Sequence, residues 1–386
     1  MFKTAVLVIG GGPAGSTAAR FLAQHSIDII LVERDLSYKK PCGGGIPSSA
    51  LIEFEIPEDV VKKKINKVLV VSPKGKKVDV KLKDGYLAIT ERGEFDKRLR
   101  QLAQEKGALI IEGEFLRFED ISKNIVAIVR ERSTNKEIKI KSDYVIASDG
   151  VTSKVGSLLN RNKIKSIWTI NTHLKPFSDQ SFEHAEFWFG SEHATDFYSW
   201  LFPSCSYISI GTGSRDVREL VSLLDKFIKR RFGKTLRDFQ SDNLLSKLRA
   251  FKIPEWDKSI FNIGNILFVG DTASIVMPVT YEGIYYAMKS GEFAANALIE
   301  RSPSIYKKLW DERFKNRFFV MNKIKKYLFR KDQNIEKFVS IHQHPEAQEL
   351  AMRLWLKKEK GTELIKSYFN IFKKILRLNS NLNFLC

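Results

Sequence analysis

Apolar positions along the chain fall into two patterns. Ala5–Ile9, Ile27–Val32, Tyr144–Ser148 and Ile266–Val269 are short runs of consecutive apolar residues, the pattern of strands covered on both faces. Between the first two, Ala14–Gln24 is rich in good helix formers, which predicts a strand–helix–strand unit with parallel pairing. From Lys67 to Thr90 the segments shorten and alternate, separated by Pro-Lys-Gly and Lys-Asp-Gly turns, which predicts antiparallel sheet. Asp96–Lys106 has a helical pattern, followed by a strand at Ala108–Glu112 and a hairpin-like stretch to Lys139. Residues 164–216 are strand-like and aromatic-rich, and Val217–Phe232 and about Gly283 to Glu300 are helical. After Ser302-Pro303 the chain is helical and basic.

The expected fold class is α/β (α+β overall). A Rossmann-type domain is assembled from residues 1–65, 91–160 and 262–300, with an antiparallel β domain from 66–90 and 161–261 interleaved. A basic helical region, 301–386, follows.

Gly10, Gly12 and Gly15 form G-x-G-x-x-G between the first strand and helix. The first glycine permits the tight turn, the second lets a pyrophosphate approach the backbone, and the third lets helix pack on strand. The helix N-terminus offers free N–H groups to phosphate. Glu33 closes the second strand, at the spacing where a carboxylate bonds a ribose hydroxyl. Arg34 would suit a 2′-phosphate, but Glu33 favours an unphosphorylated ribose. Ser148-Asp149-Gly150 and Val269-Gly270-Asp271 each put a small residue and a carboxylate after a buried strand, where open α/β sheets bind ligands. Pro278 and Glu282-Gly283-Ile284 follow, opening a helix.

In this order, these elements resemble the FAD-binding set of the p-hydroxybenzoate hydroxylase superfamily. Glu91-Arg92-Gly93-Glu94-Phe95-Asp96 is similar to its Arg-x-x-Phe-Asp element. The subfamily is narrowed by Lys40-Pro41-Cys42-Gly43-Gly44-Gly45, which is similar to the Cys-Gly-Gly-Gly loop of geranylgeranyl reductases. Tyr198-Ser199-Trp200-Leu201-Phe202-Pro203, then Gly211-Thr212-Gly213, resembles their Y-x-W-x-F-P…G-x-G signature.

The resemblance covers roughly residues 1–300. It implies noncovalent FAD held by Gly10, Gly12, Ala14, Gly15, Glu33, Arg34, Cys42, Gly43, Gly45, Arg92, the backbone near Leu116, Asp149, Gly150, Gly270, Asp271, Gly283 and Ile284. It implies reduction of isolated double bonds in a polyprenyl chain (an archaeal-type lipid, a phytyl group or a quinone tail). Hydride would come from reduced flavin and a proton from elsewhere. Tyr198, Trp200, Phe202, Pro203 and Tyr281 would border the substrate. Equally, the period-two spacing of Tyr198, Trp200 and Phe202 suits ordinary core aromatics of a sheet. Two positions depart from the pattern: Tyr281 stands where glycine is common, and Gly156 where related Asp-Gly segments carry arginine. A flavin monooxygenase or halogenase shares the expected fold, and a non-catalytic flavin electron carrier is a further alternative.

Cys42, between lysine and glycines, is the candidate for a direct chemical role, with Cys205 a conceivable redox partner. Three cysteines make no disulfide framework, so a reducing, cytoplasmic compartment is expected. The six histidines lack zinc spacing, and no metal site is expected.

Charge adds one more element. The 386 residues hold 64 Lys and Arg against 45 Asp and Glu, a net +19, and residues 301–386 carry 20 cations against 8 acids. Such an excess suits an anionic membrane surface or an acidic electron-transfer protein, or is simply a solvated lysine-rich surface. No recognition motif accompanies it, so nucleic acid is not an expected partner. Thr362–Leu378 has the apolar spacing of an interfacial helix, which suggests attachment to the inner face of the membrane, or equally of a helix packed on the protein's own core. Only one dinucleotide fingerprint is present. The external reductant is therefore expected to be a ferredoxin-like carrier or NAD(P)H admitted without a second fold.

Overall fold

The computed structural model describes residues 1–122, 124–176, 182–239, 244–257, 259–359, 366, 367 and 370. The chain forms two compact units: one comprises Met1–Lys40, Gly93–Ser166 and Ile253–Lys315, the other Pro41–Arg92, Ile167–Lys252 and Asn316–Cys386.

The first unit is built on a mostly parallel sheet. Leu109–Asp120, Ile29–Glu33, Phe2–Ile9, Glu137–Ala147 and Ile266–Phe268 lie side by side in parallel, with Asn262–Ile263 antiparallel on the edge. Ile125–Glu131 pairs antiparallel with both Leu109–Asp120 and Glu137–Ala147. Val6–Ile9, Ile29–Val32 and Val145–Ala147 are all buried, as consecutive apolar residues of a doubly covered sheet must be. Register brings Ile9 opposite both Val32 and Ala147, and Ala147 opposite Phe268. The glycine loop, Glu33, Asp149 and Gly270-Asp271 consequently all leave the sheet at one carboxyl edge. Helix Pro13–Gln24 starts with proline at its first position, which fixes φ where no N–H is needed. It packs against helix Ile284–Ile299 so closely that any side chain at Gly291 would overlap the Ala14 carbonyl.

The second unit contains a seven-stranded sheet, ordered Arg249–Pro254, Ser166–Leu174, Ile208–Ser214, Ser199–Pro203, Ala185–Trp188, Lys67–Val71 and Lys77–Lys81. Helix Leu220–Phe232 covers one face, where Ile170, Leu201 and Ile210 form a core with Leu224, Phe227 and Ile228. Alternate residues point to the opposite face, so Asn171, Gly211, Trp200 and Phe187 form one cross-strand row there.

Several expectations change in three dimensions. The first segment of the dinucleotide unit ends at Lys40 and not near 65. The reason is pairing: Gly45–Pro47 and Val61–Ile65 flank Leu87–Thr90 in a separate three-stranded sheet of the second unit. Residues 67–90 are likewise divided between two sheets, and Lys67–Val71 runs parallel to Ala185–Trp188. Residues 301–386 do not act as one region. Tyr306 donates its hydroxyl to the Phe268 carbonyl at 3.0 Å, and Phe314 packs on Tyr286, so residues up to Lys315 complete the first unit. Helices Asn316–Leu328, Asp332–Ile341 and Pro345–Trp355 belong to the second. Most of the amphipathic segment 362–378 and Cys386 lie outside the described residues. Among described residues no helix is long and apolar enough to cross a membrane.

Candidate functional site

In the first unit the glycine loop is shaped from both sides. Gly10 has φ +106°, and a Cβ there would overlap the Ser148 carbonyl. A Cβ on Gly15 would overlap the Gly10 carbonyl, so the helix can start only where no side chain exists. Around Gly12, by contrast, nothing stands within 4 Å of where a Cβ would be, and the same holds at Gly150. These two openings flank the N-terminus that begins at Pro13 and Ala14, and the cradle fits a pyrophosphate. Glu33 accepts N–H bonds from Gly11 at 2.6 Å and Asp35 at 3.0 Å, which holds its carboxylate at the strand end. Arg34 follows in the same turn, its carbonyl accepting from Arg132. Leu116 falls at a bulge between Phe115 and Arg117, which leaves its backbone out of the regular ladder.

Asp149 and Asp271 are already engaged within the protein. Asp149 accepts from Ser153 Oγ at 2.6 Å and the Val155 N–H at 3.0 Å, and loss of water pushes its pKa upward against those bonds. Gly150 offers a ligand close approach through its missing side chain, its N–H and carbonyl being bonded to Thr272 and Ser153. Asp271 is paired with Lys40 Nζ at 2.6 Å. Gly283 caps helix Ile284–Ile299, so Ile284 lies at a positive helix end. Tyr281 is buried with φ +51° in the turn before it. It thus holds a left-handed conformation that glycine would adopt without strain.

In the second unit the aromatic motif and its trailing glycines form a single construction. Trp200 lies directly opposite Gly211, where a Cβ would overlap its indole ring. Phe197 covers Gly213 in the same way, at 2.6 Å from Cγ to the Cβ position. The missing side chains are seats for rings. Phe187 stands edge-on to Tyr198 and to Phe202, both with centroids 5.2 Å away. Pro203 ends the strand. Gly43 lies flat on this face, since a Cβ there would stand 2.8 Å from Phe202 Cε2 and 3.1 Å from Trp200 Nε1. Gly45 sits over Phe202 and Leu87. The half-buried Cys42 accepts the Gly44 N–H on its sulfur at 3.4 Å, and its carbonyl accepts from Asn171 Nδ2 at 3.5 Å. Cys205 is exposed and donates its thiol to the Lys62 carbonyl. Arg92 is buried as the first residue of helix Arg92–Glu105.

Residues 3–301 match the FAD binding domain family. A geranylgeranyl diphosphate reductase from Synechocystis sp. is 30% identical over 378 residues, covering 92% of each chain. A digeranylgeranylglycerophospholipid reductase from Thermoplasma acidophilum is 28% identical over 403 residues, 94% of this chain and 97% of the relative. A crystal structure of a geranylgeranyl bacteriochlorophyll reductase-like protein from the same organism superposes with a TM-score of 0.81 at 25% identity, covering 96% and 100% of the two chains. The chain belongs to the geranylgeranyl reductase family of FAD flavoproteins.

Against that family pattern, the structure adds residues that no local motif announces. Arg100, buried on helix Arg92–Glu105, donates to the carbonyls of Gly11 at 3.2 Å and Leu36 at 2.8 Å. It clamps the glycine loop to the turn after Glu33. Thr272 Oγ1 accepts the Gly150 N–H at 2.9 Å, tying two strand ends together. Arg161 donates to the Thr272 carbonyl at 2.8 Å and stacks on Phe268 at 4.1 Å. Its Cδ lies 3.6 Å from where a Gly156 Cβ would be, so an arginine five residues later fills the space that the family's arginine would enter. Burial lowers its pKa, opposed by the charge of Asp149. The only sequence signal for these residues was the missing arginine at 156.

Proposed function

We propose that this chain is an FAD-dependent reductase that saturates isolated double bonds of a geranylgeranyl or related polyprenyl chain, carried on a diphosphate or a lipid headgroup. The observation that supports it most is the aromatic face, in which Gly211 and Gly213 recess Trp200 and Phe197 into the sheet. A broad apolar wall of immobilised rings is what an alkene without polar handles requires for alignment. Bound and reduced, FAD would supply the hydride. Gly10, Gly12, Ala14, Gly15, Glu33, Gly150 and the Gly283–Ile284 helix start would hold it, with Asp149 and Asp271 shaping the turns. The chain's own work is then to bind, to orient the prenyl chain against Trp200, Phe202 and Tyr198, and to admit one proton. Cys42 is assigned a direct part in the reaction through its place on the glycine loop.

The deciding experiment is anaerobic and single-turnover. The photoreduced protein is mixed with an unsaturated prenyl lipid, and product mass and flavin absorbance are followed. Each bond reduced adds two hydrogens and reoxidises one flavin. A flavin that stays bleached, with no saturated product, would remove the reading.

For the external reductant, the +19 charge supports an acidic ferredoxin-like carrier over NAD(P)H, because attraction speeds encounter at low salt. Stopped-flow bleaching with each donor tests this. Rapid bleaching by NADPH and none by the carrier would reverse it. The enzyme would work in the cytoplasm, peripheral to the membrane.

A further inference from the structure

Helices Asn316–Leu328 and Asp332–Ile341 are strongly basic. Between Asn316 and Ile341 the chain has only two acids, Asp332 and Glu336. Both are bonded within the unit: Asp332 accepts from Ser191 N at 3.0 Å and Oγ at 2.9 Å, and Glu336 accepts from Ser72 Oγ and Lys74 N at 3.0 Å. Arg317 and Lys325 are buried and Lys323 is half-buried, while the other four cations are exposed. None of these four, Lys326, Arg330, Lys331 and Lys337, forms an ion pair with a described residue. Phe319, Lys323 and Lys326 are spaced by four and three residues, which puts them on one helical face, and Arg330 and Lys331 follow in the turn after the helix. On helix Asn316–Leu328 that face spans about 10 Å from Phe319 to Lys326. At its start Phe319 is 43% exposed, with Lys323 Nζ over its ring at 4.3 Å.

We propose that the outer face of helices Asn316–Leu328 and Asp332–Ile341 rests on an anionic lipid bilayer. Phe319 enters the headgroup boundary, and Lys323, Lys326, Arg330, Lys331 and Lys337 lie over the lipid phosphates. This rests on the prenyl-lipid reading for its purpose, although the surface is defined by charge and exposure alone. Four exposed cations that form no ion pair with a described residue match a negatively charged leaflet, and a ring beside long basic side chains suits the interface between headgroups and acyl chains. An acidic protein would match the charge equally. Protein interfaces, however, are organised around a larger apolar core, and Phe319 is the only large apolar side chain exposed on these helices.

The test uses the full-length chain and sedimentation with vesicles of phosphatidylcholine and phosphatidylglycerol, without electron donor. Near an anionic surface each cation is worth roughly fivefold in partitioning. The triple variant Lys326→Glu, Arg330→Glu, Lys337→Glu should therefore lose on the order of 100-fold. A matched variant at the opposite edge of the seven-stranded sheet, Lys175→Glu, Lys247→Glu, Lys252→Glu, should change by less than about threefold, since screening confines attraction to roughly a Debye length. Phe319→Ala should weaken binding several-fold while leaving the salt dependence alone. Equal losses in both triple variants would show attraction by net charge only and overturn the proposal. So would unchanged vesicle binding with slower flavin reduction by an acidic carrier, which would give the surface to a protein. Turnover on detergent-dispersed geranylgeranyl diphosphate, measured in parallel, tests the reductase reading separately. Its absence in every variant and in the parent would sink that reading without touching the vesicle result.

Discussion

Trp200 and Gly211 are one unit of structure: the indole occupies the space that any side chain at 211 would need. Gly211→Ala should therefore push the ring off its seat, costing about 1–3 kcal/mol of stability as overpacking does. Trp200→Ala should leave the seat empty. Both variants should retain FAD and lose prenyl reduction on the order of 100-fold, the scale of a misplacement near 1 Å. Flavin content and single-turnover rate check this. Full turnover in Trp200→Ala would return the ring to the role of a core aromatic.

Arg161 reaches from its own position into the space beside Gly156 and secures the Thr272 carbonyl. Removing a charged hydrogen bond of this kind costs about 1.5–3 kcal/mol. Arg161→Ala should accordingly raise the FAD dissociation constant by at least about tenfold. Adding Gly156→Arg to that variant should recover much of the loss, because the guanidinium would enter the vacated space from the adjacent helix. Fluorescence titration of the apoprotein reads both. If the double variant binds no better than the single one, the two positions are not interchangeable.

Cys42 shares its loop with Gly43 and Gly44, and its sulfur accepts the Gly44 N–H. Cys42→Ser preserves an acceptor there, whereas Cys42→Ala does not. A direct chemical part predicts that both lose turnover by more than about tenfold while FAD affinity holds. A loop-shaping part alone would spare the serine variant. Comparing the two rates separates these roles.

His193 is fully buried, its Nδ1 2.8 Å from Ser199 Oγ, and burial lowers its pKa to about 3, with Arg230 adding to the shift. Unfolded, it takes up a proton near pH 6.5. The unfolded state therefore binds more protons between those values. Stability is complete above about pH 6.5 and falls as pH drops toward 3. One proton corresponds to about 1.4 kcal/mol per pH unit. His173 and His342, also shifted down by burial, act in the same direction. His193→Asn should be less stable at pH 7 yet lose less on acidification. Urea denaturation at pH 7, 6 and 5 checks it, and parallel pH dependence in variant and parent would contradict the assignment.

What the sequence by itself determined is local. Runs of consecutive apolar residues marked the strands at Val6–Ile9 and Ile29–Val32, because a strand covered on both faces has no polar side to show. Gly10, Gly12 and Gly15 marked the phosphate loop through a spacing that only a strand–turn–helix uses. The aromatic motif stood out by its resemblance to the family signature, since its period-two spacing alone suits any sheet core. Tertiary structure decided what lies far apart in the chain. Glycine at 211 carries no sign of the ring above it, because an absent side chain has no pattern. Arg100 and Gly11 are 89 residues apart and Arg161 and Thr272 are 111 apart, and neither lies in a periodic element that points to its partner. Lys40 ends the first unit because Gly45–Pro47 pairs with Leu87–Thr90, a choice made by backbone hydrogen bonds between distant segments. The same holds for the basic helices: composition reveals the excess of charge, but only packing engages Asp332 with Ser191 and Glu336 with Ser72 and leaves Lys326, Arg330, Lys331 and Lys337 exposed.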